Sequence, residues 1–357
     1  MAIDPDFWRG RRVLLTGHTG FKGAWLSLWL SSLGAELVGL APRPAAAGSL
    51  YERARAGEGA SERAVDVRDA PALSAALAEA RPEVVFHLAG QPLLRRSLRD
   101  PVRTFEVNVI GTVNVLEAIR AAAAPVRSLV LVTSDKCYEN AAGRRRPFIE
   151  QDALGGSDPY SSSKACAELV ASAYRRSFPQ LGGGARLATA RAGNVIGGGD
   201  RGEDRLLADA LQAVESGTPL RVRNPAAVRP WQHVLNPLAG YLLLAQELWS
   251  SEKAARAWNF GPPAREARPV GWIAARLAEL WQGELQWLPV QTPDPAEAPH
   301  LLLDSGAAER ELGWHPPWGL EEALARTVEW HRRERAGEDM RARSLEQIEA
   351  FSRALDG

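Results

Sequence analysis

A glycine-rich loop between a predicted strand and a predicted helix most constrains the fold of this 357-residue chain. An apolar run at residues 12–15 leads into Thr16-Gly17-His18-Thr19-Gly20-Phe21-Lys22-Gly23, and a helical pattern follows at residues 24–30. Glycines at such a turn let the backbone approach a pyrophosphate held at a helix N-terminus. The spacing is G-x-x-G-x-x-G rather than G-x-G-x-x-G, and a ligand-free capping loop is the alternative. The context predicts dinucleotide binding.

Apolar and helical patterns alternate through the first half of the chain. Residues 36–40, 84–89 and 128–133 are predicted strands, whereas residues 71–80, 101–122 and 161–177 are predicted helices. Continuous apolar strands separated by helices indicate a buried parallel sheet covered on both faces. The predicted fold class is therefore α/β, a doubly wound parallel sheet of the Rossmann type with a smaller C-terminal α/β substrate-binding domain.

The pattern changes after Arg191, where Gly-, Pro- and Arg-rich stretches lie between shorter helices. We expect a dinucleotide-binding domain at residues 1–190 and a mainly nucleotide-sugar-binding domain at residues 191–335, with the chain able to cross back to the first domain. Residues 336–357 alternate in charge and are predicted to form a solvated helical tail.

The sequence contains two clusters of reactive residues, one near the start of a predicted helix and one at the end of a predicted strand. Tyr160 and Lys164 are four residues apart, so they lie on one face of a helix. The ammonium then favours the phenolate, whose pKa of about 10 needs to fall by roughly 3 units, or about 4 kcal/mol, for base function near neutrality. A chance match on a solvated helix is the alternative. Ser134, Asp135 and Lys136 add a hydroxyl, a possible acid and a possible base, which indicates oxidation plus a second proton transfer, such as an elimination.

The composition narrows the classes of partner. The chain has 43 Lys plus Arg and 43 Asp plus Glu, so no net field attracts nucleic acid or an anionic membrane. No segment is predicted to span a membrane. The two cysteines fit a reducing cytoplasm rather than a disulfide scaffold, and neither they nor the six histidines have metal-ligand spacing. We expect a cytoplasmic enzyme without a metal.

Together these motifs resemble the extended short-chain dehydrogenase/reductases that act on nucleotide sugars, and among them the CDP-glucose 4,6-dehydratases. The likeness runs from about Trp8 to His331. The segments that carry it, besides the glycine loop, are Gln91-Pro92-Leu93-Leu94-Arg95, Thr133-Ser134-Asp135-Lys136-Cys137-Tyr138, Tyr160-x-x-x-Lys164, Gly193-Asn194-Val195-Ile196-Gly197-Gly198-Gly199-Asp200 and Arg229-Pro230-Trp231-Gln232-His233-Val234. The Asp135-Lys136 pair stands where dTDP- and GDP-sugar dehydratases have Asp-Glu.

The resemblance implies an internal redox cycle that uses NAD as a bound catalyst. Tyr160 takes the C4 hydroxyl proton while NAD⁺ takes the C4 hydride, and Ser134 hydrogen-bonds the C4 oxygen. The 4-ketone acidifies the C5 proton, water leaves from C6 with Asp135 as the acid, and hydride returns to C6. CDP-D-glucose would thereby become CDP-4-dehydro-6-deoxy-D-glucose.

The resemblance also assigns residues to each ligand. The implied cofactor-binding residues are Gly17, Thr19, Gly20, Phe21, Lys22, Gly23, Asp66, Val67, Leu88, Ala89, Tyr160 and Lys164, with Asp66 accepting from the adenine amine. The implied nucleotide-sugar residues are Gln91, Arg95, Asn194, Arg205, Arg229 and His233. A homodimer or homotetramer is expected because the helix bearing Tyr160 lies in a dimer interface across the family.

Several alternatives stay open at the level of sequence. Lys136 is either the C5 base or an ammonium that stabilises the enolate or pairs with Asp135. His233 is either a ligand or a packed histidine. The second strand lacks the carboxylate that binds the NAD ribose, and Arg43 would tolerate the 2′-phosphate of NADP. Another nucleotide-sugar 4,6-dehydratase or 4-epimerase, and a non-enzymatic dinucleotide sensor or scaffold, are the competing functions.

Overall fold

The computed structural model describes residues 2–42, 45, 47–122, 125–140, 146–179, 181–290 and 300–356. The helices are α1 Pro5–Trp8, α2 Phe21–Ser32, α3 Leu50–Arg53, α4 Ala70–Ala80, α5 Leu94–Arg99, α6 Pro101–Phe105, α7 Gly111–Ala121, α8 Pro159–Ser177, α9 Leu206–Ser216, α10 Leu235–Ser250, α11 Val270–Leu280, α12 Gly306–Leu312, α13 Leu320–Arg335 and α14 Met340–Asp356. The strands are β1 Arg12–Thr16, β2 Glu36–Ala41, β3 Ser61–Ala64, β4 Val84–His87, β5 Ser128–Val132, β6 Arg186–Ala192, β7 Val195–Ile196, β8 Leu220–Val222, β9 Val228–Arg229, β10 Gln232–His233, β11 Ala257–Phe260, β12 Arg268–Pro269 and β13 Trp287–Pro289.

Seven parallel strands form the central sheet in the order β11-β6-β5-β4-β1-β2-β3. The middle strands are buried along their length because helices cover both faces, which is why their sequences are continuously apolar. The order of the strands reverses between β1 and β4: β2 and β3 lie on one side of β1, and β4, β5 and β6 lie on the other. Such a switch point opens a crevice at the carboxyl ends of the strands. The predicted doubly wound parallel sheet is confirmed.

Each face of the sheet has its own core. On one face α2 and α10 pack against the strands, with the buried side chains Trp25, Trp29 and Leu242 among the contacts. On the other face α4, α7 and α8 contribute, with Leu77 and Leu116 among the buried side chains. These two cores hold β1, β4 and β5 rigidly, and therefore also the loops at their carboxyl ends.

A third core lies in the C-terminal half. It joins α9 and α11 to β8 and one face of α13. Between its segments the chain returns to the central sheet, where β11 pairs in parallel with β6. The boundaries at residues 190 and 335 stay a prediction, because the chain passes between the two cores more than once.

Two sequence-based expectations differ from the structure. The predicted solvated tail is wrong, because one face of α14 is buried: the Phe351 ring lies 5.5 Å from that of Trp29 and 5.0 Å from that of Trp318. The single helix predicted at residues 101–122 is interrupted by a π turn, Glu106–Ile110. This turn contains the buried Asn108, whose amide bonds to the backbone of Gln91.

Candidate active site

A cleft of about 660 Å³ opens at the carboxyl edge of the sheet. Every residue assigned above to catalysis, cofactor or substrate lines it, with the exception of His233. This volume is typical of pockets for small molecules and cofactors. Residues distant in sequence therefore converge on one site, as the strand-end positions predicted.

The glycine loop has the geometry that its spacing predicts. Gly17 has a φ of +76°, and a Cβ atom there would lie 2.7 Å from the backbone nitrogen of Ala89. A Cβ atom on Gly23 would collide with the Gly17 carbonyl oxygen. Gly20 precedes the first turn of α2, so the unpaired N–H groups of that turn face the cleft. Only glycine permits this approach of loop, helix and β4.

Tyr160 and Lys164 lie in the first two turns of α8. The Asp158 side chain caps this helix by accepting from the Ser161 nitrogen at 2.9 Å, and the Tyr160 nitrogen donates to Ser97 Oγ at 3.1 Å. Burial raises the pKa of Tyr160 to about 12, and a hydrogen bond with Ser134 opposes that rise. The pKa of Tyr160 is therefore not lowered as the sequence predicts, because the effect of burial on it is larger than that of the nearby charges.

Lys164 is itself buried. Its Nζ donates to the Val132 carbonyl at 3.4 Å, which holds the ammonium at the end of β5. Burial lowers its pKa to about 8, and the charge of Glu168 opposes this. The group therefore stays mainly protonated at neutral pH and presents a positive charge to the site.

The turn after β5 carries the second cluster. Ser134 Oγ donates to Asp135 Oδ1 at 2.9 Å and accepts from the Lys136 nitrogen at 3.2 Å. Burial raises the pKa of the Asp135 carboxyl, whereas the charge of Lys136 opposes the rise. Within the described ranges, Asp135 Oδ2 has no hydrogen-bond partner. A buried carboxyl with a raised pKa and a free oxygen suits a general acid.

Two half-buried lysines lie at this cluster. Lys136 belongs to the turn, with Nζ 6.0 Å from the centre of the Tyr160 ring. Lys22 comes from the glycine loop, with Nζ 3.4 Å from the Tyr241 hydroxyl, and burial of its ammonium lowers its pKa to about 7. The sequence placed Lys22 in the cofactor loop without any signal that its ammonium would be buried toward Asp135.

Arginines dominate the substrate side of the cleft. Arg205 occupies the N-cap position of α9, and its Nε lies 3.7 Å from Asp200 Oδ2. Arg229 is buried, and Arg95 Nη1 lies 3.5 Å from Asp204 Oδ1. Guanidinium groups and a helix N-terminus both favour phosphate oxygens. Sequence reasoning missed further lining residues in this region, namely Arg221, Arg223, Asn224 and Asp209.

Two assigned residues are engaged with protein groups. The Gln91 amide bonds to Leu93 and to Thr104 Oγ1, so it orders its own loop. The Asp66 carboxylate pairs with Arg68, with Nη2 2.7 Å from Oδ2, and this pairing lowers its pKa. A carboxylate has about four lone-pair positions, so an adenine amine can still be accepted.

His233 does not reach the cleft. It is fully buried, with its ring 4.9 Å from Trp318 and 6.1 Å from Trp25. Its Nδ1 accepts from the Leu235 nitrogen at 3.3 Å, and burial lowers its pKa to about 3. The structure thus places it as a packed neutral histidine, the alternative that the sequence left open. Arg43 lies outside the described residues.

Comparison with known proteins agrees with this geometry. The model of the NAD dependent epimerase/dehydratase family matches residues 13–261, which is more than half of the chain. The chain belongs to this family. It is 45% identical to CDP-glucose 4,6-dehydratase of Salmonella typhimurium, across 99% of each chain. It is 26% identical to a probable dTDP-glucose 4,6-dehydratase of Sinorhizobium fredii, over 90% of this chain and 92% of that one.

Solved structures share the fold of this epimerase/dehydratase family member. A dTDP-glucose 4,6-dehydratase from Streptomyces venezuelae, with NAD and TYD bound, superposes with a TM-score of 0.77 at 23% identity over 92% of this chain and 99% of that one. The UDP-glucose 4-epimerase of Thermus thermophilus, in complex with NAD, gives a TM-score of 0.76 at 26% identity over 90% and 99%.

The residues present fit the NAD that the family requires. The close approach of Gly17 to Ala89 and the open first turn of α2 leave room for a pyrophosphate at the carboxyl end of β1. Lys164 and Tyr160 line the same cleft, where they would lie beside the nicotinamide ring and the substrate. Among the described residues, no helix is long and apolar enough to cross a membrane, and no group of three His, Cys, Asp or Glu side chains is arranged to hold a metal ion.

Proposed function

We propose that the chain is a CDP-glucose 4,6-dehydratase, which converts CDP-D-glucose to CDP-4-dehydro-6-deoxy-D-glucose and water in deoxysugar biosynthesis. The observation that carries the proposal is the pairing of a buried Asp135 carboxyl with Tyr160 across the Ser134 hydroxyl. An acid and a base at one cleft suit an oxidation followed by loss of water. The 45% identity with the Salmonella enzyme supports the choice of cytidine nucleotide.

Each side chain of the cluster has a proposed role. Tyr160 takes the C4 hydroxyl proton; because burial raises its pKa in the ligand-free protein, this role requires the ammonium of Lys164 to stabilise the phenolate once the ligands are bound. Asp135, whose pKa burial raises, donates a proton to the leaving C6 hydroxyl. Bound NAD supplies the redox chemistry by accepting hydride at C4 and returning it at C6.

Removal of the C5 proton is assigned to Lys136. Its Nζ and the Tyr160 ring face the same part of the cleft, at 6.0 Å. The alternative is an ammonium that stabilises the enolate while water removes the proton, and the half-buried position of Lys136 is compatible with it. The two roles respond differently to substitution by arginine.

Neither a 4-epimerase nor a dinucleotide sensor or scaffold requires this arrangement of acid and base. A 4-epimerase does not eliminate water from C6, so it has no use for a buried acid at Asp135. A dinucleotide sensor or scaffold has no use for an intact Tyr160–Lys164 pair beside that acid. Both alternatives would still account for the glycine loop, so the catalytic cluster discriminates among them.

We also propose a cytoplasmic homodimer or homotetramer. Exposed apolar side chains occur on α5, α6, the π turn and α8, which pack against one another, and they are Leu98, Val102, Phe105, Ile110 and Leu169. An exposed apolar patch of this kind is typical of a surface that a partner subunit covers. Sedimentation of the protein with Val102→Glu beside the native chain tests this assignment.

The test of the activity is incubation with NAD⁺ and CDP-, dTDP-, UDP- or GDP-sugars in deuterated water, followed by mass spectrometry and NMR. Loss of one water from CDP-glucose alone, with deuterium at C5, is the expected result. Turnover of another sugar would preserve the chemistry and contradict the cytidine assignment. A protein that binds NAD but converts none of them would be a sensor or scaffold.

A further inference from the structure

A buried ion pair lies beneath the cleft, outside its lining. Arg191 Nη2 is 2.7 Å from Glu168 Oε2, and the two side chains are 3% and 1% exposed. Thr189 Oγ1 donates to the same Glu168 oxygen at 2.8 Å. A buried ion pair gains little net stability, because removing two charges from water offsets their attraction. Its position relative to the catalytic segments therefore bears more on function than its contribution to stability does.

Both ends of the turn that carries Ser134, Asp135 and Lys136 are tied to this pair. At the leading end, Thr133 Oγ1 donates to Glu168 Oε1 at 2.5 Å. At the trailing end, Arg191 Nη1 donates to the Tyr138 hydroxyl at 2.7 Å. Tyr138 in turn donates to Asn259 Oδ1 at 2.7 Å. Each end of the turn is thus connected to the buried ion pair by a hydrogen bond.

The pair also belongs to the elements that carry the other catalytic groups. Glu168 lies on α8 one turn beyond Lys164, so it shares a rigid helix with the tyrosine base. Arg191 is the penultimate residue of β6, and it is followed directly by Ala192, Gly193 and Asn194, which line the cleft. One salt bridge therefore connects the turn after β5, helix α8 and the end of β6.

We propose that Glu168 and Arg191 are positioning residues, which hold the turn bearing Asp135 in register with Tyr160 on α8. The inference rests on the proposed dehydratase function, in which one sugar must meet the base in the first step and the acid in the second. Loss of the tie moves the turn relative to the helix. The elimination then slows more than the oxidation at C4, because the second step uses both Asp135 and Lys136 of the turn, whereas the first uses only Ser134.

Two threonines on the same carboxylate allow a matched test. Thr133→Val removes the tie to the turn, whereas Thr189→Val removes a hydrogen bond to the same glutamate from within β6, outside the cleft lining. Both changes are nearly isosteric and leave the salt bridge intact. Glu168→Gln is less suitable alone, because it leaves a buried arginine without its counter-charge and strongly destabilises the fold.

The first measurement is the steady-state absorbance of bound NADH at 340 nm during turnover of CDP-glucose, normalised to folded protein. Thr133→Val is expected to lower kcat about tenfold or more with KM within about twofold, and to raise the NADH fraction several-fold. Tyr138→Phe, which frees the trailing end, should act in the same direction. Thr189→Val should behave like the unchanged chain. Equal effects of the two threonine variants on the NADH fraction would overturn the proposal.

The second measurement does not depend on turnover. Amide hydrogen exchange of residues 136–139 in the ligand-free protein should accelerate in Thr133→Val and stay unchanged in Thr189→Val. If the unchanged chain converts no nucleotide sugar, the proposed function fails, while the exchange result still decides whether the pair holds the turn. Unchanged exchange in Thr133→Val would refute the positioning role even in an active dehydratase.

Discussion

Ser134 donates a 2.9 Å hydrogen bond to one oxygen of the Asp135 carboxyl, and the other oxygen has no partner within the described part of the chain. The hydrogen bond from Ser134 orients the carboxyl and leaves its second oxygen available to a ligand. Burial raises the pKa of the carboxyl, as the proposed acid role at C6 requires.

Asp135→Asn tests this acid directly. The amide keeps the size of the side chain and the bond from Ser134 but cannot donate a proton as an acid. We expect kcat for dehydration to fall at least about 100-fold, with bound NADH accumulating because C4 oxidation does not use the acid. Product formation is followed by mass spectrometry and NADH by its absorbance at 340 nm.

The control for that variant is Asp69→Asn. Asp69 caps α4, outside the cleft lining, by accepting from the Ala72 nitrogen at 3.1 Å, and asparagine caps equally well. Its dehydratase rate should remain that of the unchanged chain. An Asp135→Asn protein that still loses water at the native rate would contradict the role of Asp135 as the acid.

Lys136 is examined with a pair of substitutions. If Lys136 is the C5 base, Lys136→Arg and Lys136→Met both lose at least about 100-fold in the rate of deuterium incorporation at C5, because a guanidinium does not lose its proton near neutrality. The exchange is measured by NMR on CDP-glucose turned over in deuterated water. Retention of exchange in the arginine variant alone would identify Lys136 as a charge stabiliser.

Lys22 makes the ligand-free protein's stability depend on pH. Its pKa falls from 10.5 to about 7 on folding, so the unfolded chain holds the extra proton between these values. Stability contributed through this group is therefore lowest below pH 7, rises between about pH 7 and 10.5, and is flat above. We expect Lys22→Met to raise the free energy of unfolding by a few kcal/mol at pH 7, since each pKa unit corresponds to about 1.36 kcal/mol.

Calorimetric or denaturant unfolding of the two proteins across pH 6–10 measures this effect. The gain from Lys22→Met should shrink steadily above pH 7. Lys253→Met, at an exposed lysine, provides the control and should give no such trend. A gain at position 22 that is independent of pH would mean that the ammonium is solvated in the folded chain.

The tail helix makes a prediction about stability. Phe351 is fully buried against Trp29 and Trp318, so Phe351→Ala should cost about 3–5 kcal/mol of unfolding free energy. Arg353→Ala, two residues away on the exposed side, should stay within about 0.5 kcal/mol. Urea unfolding followed by tryptophan fluorescence compares them. Similar stabilities would restore the solvated tail that the charge pattern indicated.

Much of the site followed from the sequence, because local rules determine it. The glycine spacing requires close backbone approach whatever the rest of the fold does, and strand-end positions bring Ser134 and the Gly17 loop to one edge of a parallel sheet. The four-residue interval between Tyr160 and Lys164 fixes one helical face. Each of these inferences uses a period or a connection that is present in the chain itself.

Tertiary packing decided the properties that depend on neighbours distant in sequence. Burial shifts the pKa values of Asp135, Lys22 and Tyr160, and no motif reports how deeply a side chain will be enclosed. His233 sits in a family motif yet packs between Trp25 and Trp318, which are distant from it in sequence, and its Nδ1 accepts from the Leu235 nitrogen. The alternating charge of α14 did not predict its buried face, because that face is buried by Trp29 and Trp318, which are distant in sequence. The sequence by itself determined the fold class and which residues meet in the cleft, and the three-dimensional packing determined their charge states and which of them face a ligand.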